Sequence, residues 1–305
     1  MTRPVPAHHG ILVIDKPQGV TSRAAVNRVQ AWFPGKTRIG HTGTLDPLAT
    51  GVLVVCVGLA TRLTEYIQQM DKVYRATIRL GARSDTDDAE GAISATPGVR
   101  PPPLPVIARS VGEFVGEIDQ VPPAYSAARV SGERAYRLAH QGREVRLRPR
   151  LVSIYEVQLL NYEYPILALE IRCGKGTYIR SLARDLGDRL GCGGYIESLR
   201  RTRVGPFRER DALQLDADAV TARSRLQPPV AALAHLPRVM LEGDQSRRLR
   251  QGQPVPLPSE SAENLQAGTQ HVAAFDHTGR LVAVGRLGPQ RESIQPIKVF
   301  HGEAS

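Results

Sequence analysis

The chain has 305 residues, and 40 Lys plus Arg outnumber 30 Asp plus Glu for a net charge of +10. That length admits one large domain and a small one, and a positive surplus favours a polyanionic partner through its long-range field. The first ten residues lack an apolar signal core, no apolar run is long enough for a bilayer, and the three cysteines form no C-x-x-C pair for a zinc ribbon. A cytoplasmic protein in a reducing compartment is expected.

In chain order, Gly10–Asp15 reads as a buried strand stopped by Lys16-Pro17-Gln18-Gly19. Ser22 is placed to cap a helix running to about Phe33, with Val26, Val29 and Phe33 at helical spacing. Residues 40–51, GHTGTLDPLATG, read as a loop. Val52–Val57 is a second strand and Thr61–Gln69 a short helix. Lys72–Leu80 alternates as a strand does, with Tyr74, Ala76, Ile78 and Leu80 on one face. Pro97–Pro105 is a proline-rich connector, and a helix is expected over Glu133–His140. Leu151–Leu160 and Ile166–Cys173 read as strands, and Tyr178–Leu190 as a helix. Beyond about Leu236 the pattern changes to short strands at His271–Phe275, Leu281–Gly285 and Ile297–Phe300. Without a strict βαβ rhythm, the expectation is an α+β fold with a mixed, mostly antiparallel sheet, followed by a small β-rich domain.

Asp46 sits between Gly43, which gives the loop conformational freedom, and Pro47, which keeps Asp46 out of helical geometry. On its own an Asp-Pro pair is more often a turn. The surrounding segments change that. GHTGTLDPLATG at 40–51 closely resembles the catalytic loop of the tRNA pseudouridine-55 synthases, the TruB family. So do ILVIDKPQGVTS at 11–22, KVYRATIRLGARSDTDDAEG at 72–91 and QVPPAYSAARVSGERAYRLAHQG at 120–142. CGKGTYIRSLARDLG at 173–187 and LRRTRVGPF at 199–207 complete the ordered set, which spans roughly Gly10 to Phe207. Thr44, Ser84 and His140 depart from the family's commoner residues, none within the matched catalytic set. From about Pro237 the chain resembles a PUA-type RNA-binding domain much more weakly.

The resemblance implies the pseudouridine synthase fold over residues 1–235, with a basic RNA-gripping insertion at 123–150, and a PUA-like domain over 236–305. It implies an isomerase that converts uridine 55 in the T-loop of elongator tRNAs to pseudouridine, with tRNA folding assistance as an accompanying activity. The catalytic set carried over is Asp46, Tyr74 and Arg180. Arg180 is expected to pair with Asp46 and hold its pKa low. Tyr74 is expected to stack on the extruded uracil, and its hydroxyl to help remove the C5 proton. Whether Asp46 attacks C1′, adds to C6 or abstracts a ribose proton stays open. The substrate-binding set is Lys16 behind the loop, His41 beside the space left by the flipped base, Leu199 as an apolar wall, and Arg129, Arg137 and Arg143 in the insertion. Seven arginines fall between residues 129 and 150, and guanidinium forks suit phosphate. The isomerisation neither gains nor loses atoms, so no cofactor and no metal is expected. The expected partner is the T-arm of tRNA, without guide RNA, membrane or obligate protein partner, and the protein is expected to be a monomer.

Other readings are weaker. GKGT at 174–177 lacks the G-K-[ST] order and upstream glycine of a phosphate-binding loop. Asp85, Asp87 and Asp88 resemble part of a calcium loop without its glycine or distal glutamate, and a turn with helix-capping carboxylates is expected instead. A glycosidase usually needs two carboxylates, and one is singled out here. A non-enzymatic RNA-binding protein on the same scaffold would not require Asp46, Tyr74 and Arg180 together. The guide-RNA-dependent branch of the family lacks the long insertion.

Overall fold

The computed structural model describes residues 8–35, 37–126, 129–130, 133–134, 141, 147–263 and 265–301. The strands of the first half are β1 (Gly10–Lys16), β2 (Ile39–His41), β3 (Thr50–Val57), β4 (Lys72–Leu80), β5 (Ala82–Ser84), β6 (Ile93–Ala95), β7 (Gly116–Gln120), β8 (Arg129–Val130) and β9 (Glu133–Arg134). Then follow β10 (Arg150–Glu163), β11 (Ile166–Cys173), β12 (Gly194–Val204), β13 (Phe207–Arg208) and β14 (Leu213–Gln214). Helices are α1 (Ser22–Gln30), α2 (Thr64–Gln69), α3 (Leu104–Gly112) and α4 (Ile179–Arg189). Ten strands form one sheet in the order β14-β1-β3-β12-β4-β11-β10-β7, with β2 and β13 attached at β3 and β12. All its pairings are antiparallel except β1–β14 and β3–β12. The mixed, mostly antiparallel α+β fold is therefore the one expected.

One face of this sheet carries α1, α3 and α4. Val26 and Val29 of α1, Ile107 and Val111 of α3, and Leu182 and Leu186 of α4 pack with Ala76, Ile78 and Leu80 of β4 in a single core. The other face of β1 and β3, through Ile11, Val13, Val52 and Val54, packs on α2 and on a second sheet. Burial on both faces explains why GILVI and VLVVCV are continuous apolar runs, whereas β4, wet on one side, alternates.

The second sheet has the order β15-β17-β18-β19-β16. Its strands are β15 (Arg238–Met240), β16 (Val255–Pro256), β17 (His271–Phe275), β18 (Leu281–Leu287) and β19 (Ser293–Val299). Phe275, Leu281, Val284 and the following Phe300 share a core with Val13, Val54 and Ile67. Across the same boundary Arg62 Nη1 donates to the Val299 carbonyl at 2.6 Å and Lys298 Nζ to the Arg62 carbonyl.

Several local expectations are corrected. Thr21, not Ser22, caps α1 by accepting from the Ala24 amide at 3.1 Å, and the helix ends at Gln30. The 40–51 loop begins inside β2 and ends in β3. Residues 58–63 form a 3-10 turn before α2. The proline-rich connector ends earlier than expected, because Pro105 lies in the first turn of α3, where its missing N–H costs nothing. Glu133–Arg134 pairs as a strand with Arg129–Val130 instead of opening a helix, and residues 135–140 lie outside the described set.

Candidate active site

Residues 42–49 cross from β2 to β3, and the loop is fastened on both sides of Asp46. The Ser22 hydroxyl accepts from the Leu45 amide at 2.8 Å and donates to the Leu45 carbonyl at 3.0 Å. Beyond Asp46, the Pro47 carbonyl accepts from the Gly19 amide at 2.8 Å and from Lys16 Nζ at 3.3 Å. Lys16 is fully buried and also donates to the carbonyls of Pro17 and Val20. Leu45, Leu48 and Ala49 are sunk in the core. Anchored at its neighbours, Asp46 directs its carboxylate into a cavity of about 550 Å³.

Arg180, in the first turn of α4, meets that carboxylate: its Nε lies 3.0 Å from Asp46 Oδ2. The N–H does not point along a hydrogen bond, so the contact is ionic. The rest of the guanidinium is held by Asp88 Oδ2 at 3.2 Å, by the Thr86 carbonyl at 3.0 Å and by the Tyr125 carbonyl at 2.9 Å. One turn along, Arg184 pairs with Asp87 at 2.8 Å and donates to the Val121 carbonyl. The 85–88 segment is thus a turn whose carboxylates serve arginines and backbone amides. Asp85 and Asp88 accept from the Ala92 and Glu90 amides, with no helix to cap.

Arg180 meets Asp46 and pulls its pKa down, but the net shift is upward instead of the low value expected. Burial pushes the Asp46 carboxyl above the usual aspartate range, and Arg180 is the strongest charge pulling it back, with Lys16 and Arg201 helping and Asp88 opposing. Burial also draws Lys16 down to about 8, against the pull of Asp46.

Tyr74 comes from β4, directly opposite Ile171 on one side and Arg201 on the other. Both Tyr74 and Leu199 of β12 line the cavity, with Ala49, Tyr178 and Ile179. Burial raises the Tyr74 phenol, and Arg201, whose guanidinium lies 6.0 Å from the ring centre, opposes that rise. Arg201 is a buried cation that sequence reasoning missed. Its Nε donates to the Val52 carbonyl at 2.7 Å and its Nη2 to the Gly43 carbonyl at 3.1 Å, bracing the start of the loop. A signal existed: Arg201 lies in the LRRTRVGPF segment, two residues after Leu199.

Asp46, Tyr74, Arg180 and Leu199 therefore meet in one cavity. Lys16 and His41 do not line it. Lys16 lies behind the loop, its ammonium turned to the carbonyls of Pro17, Val20 and Pro47. His41 ends β2, its Nδ1 buried without a hydrogen-bond partner and its pKa lowered by burial, Arg23 and Arg201. Arg129 is described only as part of a two-residue strand, and Arg137 and Arg143 lie outside the described residues. Among the described residues no three His, Cys, Asp or Glu side chains gather as a metal site, and no helix is long and apolar enough to cross a membrane.

Residues 31–179 match the N-terminal domain of TruB family pseudouridylate synthase, and residues 180–227 match the tRNA pseudouridylate synthase B C-terminal domain. The chain is 41% identical to the tRNA pseudouridine synthase B of Dehalococcoides mccartyi, covering 96% of both proteins. It is 41% identical to that of Chromohalobacter salexigens, covering 92% of this chain and 93% of the relative. Among solved structures, a Cbf5–Nop10–Gar1 complex aligns with a TM-score of 0.74 at 27% identity, over 96% of this chain and 85% of the other. An H/ACA RNP bound to a substrate RNA containing 2′-deoxyuridine aligns at 0.73 and 26%, with the same coverage. Matched along nearly its whole length at 41% identity, the chain belongs to the TruB family of pseudouridylate synthases.

Proposed function

We propose that this protein isomerises uridine 55 in the T-loop of elongator tRNAs to pseudouridine, acting without guide RNA. The observation that carries this reading is Asp46, its flanking residues fastened to the scaffold, facing Arg180 in a cavity that also presents Tyr74 and Leu199. The cavity volume falls within the range of ligand pockets, about 300–1,000 Å³.

A uracil stacked in a folded T-loop must be extruded, at a cost of a few kcal/mol. Stacking against Tyr74 returns roughly 1–3 kcal/mol of that, and Leu199 closes the apolar side. The reaction breaks the C1′–N1 bond, turns the uracil and forms a C1′–C5 bond, while the C5 proton leaves and N1 gains one. Attack at C1′, addition at C6 and removal of a ribose proton are three roles a carboxylate can take here, and each uses ionised Asp46. Arg180 favours that anion against the burial that opposes it. The Tyr74 phenol, which burial keeps protonated, serves as a relay: its oxygen accepts the C5 proton as its own proton leaves to water.

We divide the chain into a synthase domain, 1–235, and a PUA-like RNA-binding domain, 236–305, with residues 123–150 gripping the T-arm. The insertion and the near-complete coverage of relatives named tRNA pseudouridine synthase B favour a stand-alone monomer over an H/ACA-type assembly. Three buried free thiols fit the reducing cytoplasm.

The test is conversion of an unmodified tRNA transcript, mapped by position, by wild type and Asp46→Asn. The variant is expected to bind tRNA and lose at least ~10²-fold in turnover, the lower end of what a positioned acid–base group supplies. Normal turnover by the variant, or product at another position, overturns the reading.

A further inference from the structure

The cavity holds more positive charge than Asp46 accounts for. Among the described residues that line it, Lys72, Lys175, Arg180 and Arg201 are cationic and Asp46 is the lone anion. Two of these cations are spent: Arg180 on Asp46, Asp88 and two carbonyls, and Arg201 on the carbonyls of Val52 and Gly43. Lys175 is not, and Lys72 is only in part.

Lys72, at the start of β4, is 9% exposed and donates to the carbonyls of Gln68 and Met70, which close the end of α2. An ammonium has three donors, so one remains for the cavity. Lys175 is exposed and makes no hydrogen bond or ion pair among the described residues. Its loop is nonetheless held in place. The Gly174 amide donates to the Ser153 carbonyl at 2.8 Å, the Thr177 hydroxyl donates to the Gly174 carbonyl at 3.2 Å, and Gly176 turns the chain at φ 87. GKGT thus lacks the arrangement of a nucleotide-binding loop, yet it carries a lysine to the rim of the cavity that Lys72 enters from β4. Both lysines line the one cavity, and Lys175 adds to the burial that opposes protonation of Lys72. Asp71, the carboxylate that pulls on Lys72, is already paired with Arg203 and Arg172, and Asp46 with Arg180, so two like charges facing one space suit an anion that arrives with the substrate.

We propose that Lys72 and Lys175 form a phosphate subsite that holds a backbone phosphodiester next to the extruded uridine. This rests on the cavity being the uridine's site. The subsite gives the pair a task in the reaction. The uracil must detach and turn while its ribose stays where the new bond will form, and a phosphate fixed between two cations anchors that ribose. Compact ammonium groups suit a phosphate oxygen as point charges where no planar fork is needed.

The test is a thermodynamic cycle between lysine and phosphate. Stem-loop RNAs are made with a single neutral methylphosphonate at each phosphate flanking the target uridine in turn. Binding and turnover are measured for wild type, Lys175→Ala and Lys72→Met. At one position the neutral linkage should weaken wild-type binding roughly tenfold, the scale of one charge-assisted hydrogen bond. At that same linkage Lys175→Ala should lose little more than it has already lost on native RNA. The slope of log affinity against log salt should fall by roughly 0.7–0.9 for Lys175→Ala. Lys175 is exposed, so this variant keeps the fold and carries the test even where Lys72→Met, which strands two carbonyls, does not. Independent, multiplying effects at every linkage, or an unchanged salt slope in Lys175→Ala, overturn the subsite. Wild type acting on the native stem-loop serves as the separate check on the uridine site itself.

Discussion

Replacing Ser22 with Ala isolates what fastening the Asp46 loop contributes. The hydroxyl is 3% exposed and bonds both polar groups of the Leu45 backbone, at 2.8 and 3.0 Å. Removing it leaves a buried N–H and a buried C=O unmet, each worth about 1–3 kcal/mol when stranded. The far side of the loop keeps its own anchors at Pro47 and the near end keeps the Thr42 amide on the Val54 carbonyl, so the segment stays in place and pivots at Leu45. Part of the penalty is then relieved by movement, and a net loss of about 2 kcal/mol is expected, a sizeable share of a typical stability of about 5–15. The same movement shifts the adjacent Asp46, and a displacement of about 1 Å at a reacting group costs on the order of 10²-fold in rate. Thermal unfolding and single-turnover kinetics on tRNA transcript read the two effects separately. Ser22→Ala should melt several degrees lower and turn over ten- to a hundredfold more slowly, with tRNA affinity near wild type. Ser22→Thr, which keeps the hydroxyl, should recover most of the rate. A Ser22→Ala protein with wild-type turnover per folded molecule, whatever its melting temperature, would refute the idea that this clamp positions Asp46.

Two further outcomes follow from the electrostatics of the cavity. Because burial raises the Asp46 pKa above its ordinary 3.8, activity that needs the anion should appear as pH rises through that raised value and vanish below it. Arg180→Met removes the strongest charge holding the value down, so the acidic limb of the single-turnover pH profile should move to higher pH. A limb that stays put would mean that Arg180 does not act through Asp46. Tyr74→Phe keeps the ring and loses the hydroxyl. Turnover should fall by about 10²-fold or more, as for a lost acid–base group, with tRNA binding retained. Normal turnover would leave the ring a stacking role alone.

The parts of the fold most legible in the sequence were those with an undisturbed period. The alternation of Lys72–Leu80 put Tyr74 on the core side of β4, and the structure agrees. β12 was missed for a physical reason. Its register shifts twice against β4, between Ile196 and Ser198 and between Arg201 and Arg203, so its inward residues do not alternate. Two of those it buries, Arg201 and Thr202, are polar. The same burial hid Arg201 as a member of the site. Ser22 followed helix-start chemistry in being placed as a cap, but Thr21 supplies the cap and frees Ser22 to reach residue 45. A side chain committed to a partner 23 positions away leaves no local trace. Motif order brought Asp46 and Arg180 together in advance, whereas the upward shift of Asp46 required knowing how much protein surrounds it.

Arg180 shows why the site cannot be built from the 40–51 loop alone. Its guanidinium reaches Asp46, the Thr86 carbonyl, Asp88 and the Tyr125 carbonyl, which belong to three separate stretches of chain. Tyr125 is near the root of the basic insertion, and the same helix holds that root again through Ser181 and Arg184, which both donate to the Val121 carbonyl. Gln120 adds a reciprocal pair of bonds with the backbone of Tyr178, just ahead of α4. A lysine at 180 would offer one point charge where a planar fork with several fixed donors is in use. It would have to choose between neutralising Asp88 and facing Asp46. The segment proposed to grip RNA and the residue that favours ionised Asp46 are thus fastened to one rigid helix. A shift of the insertion root would reach Asp46 through a single guanidinium, without any rearrangement of the sheet beneath.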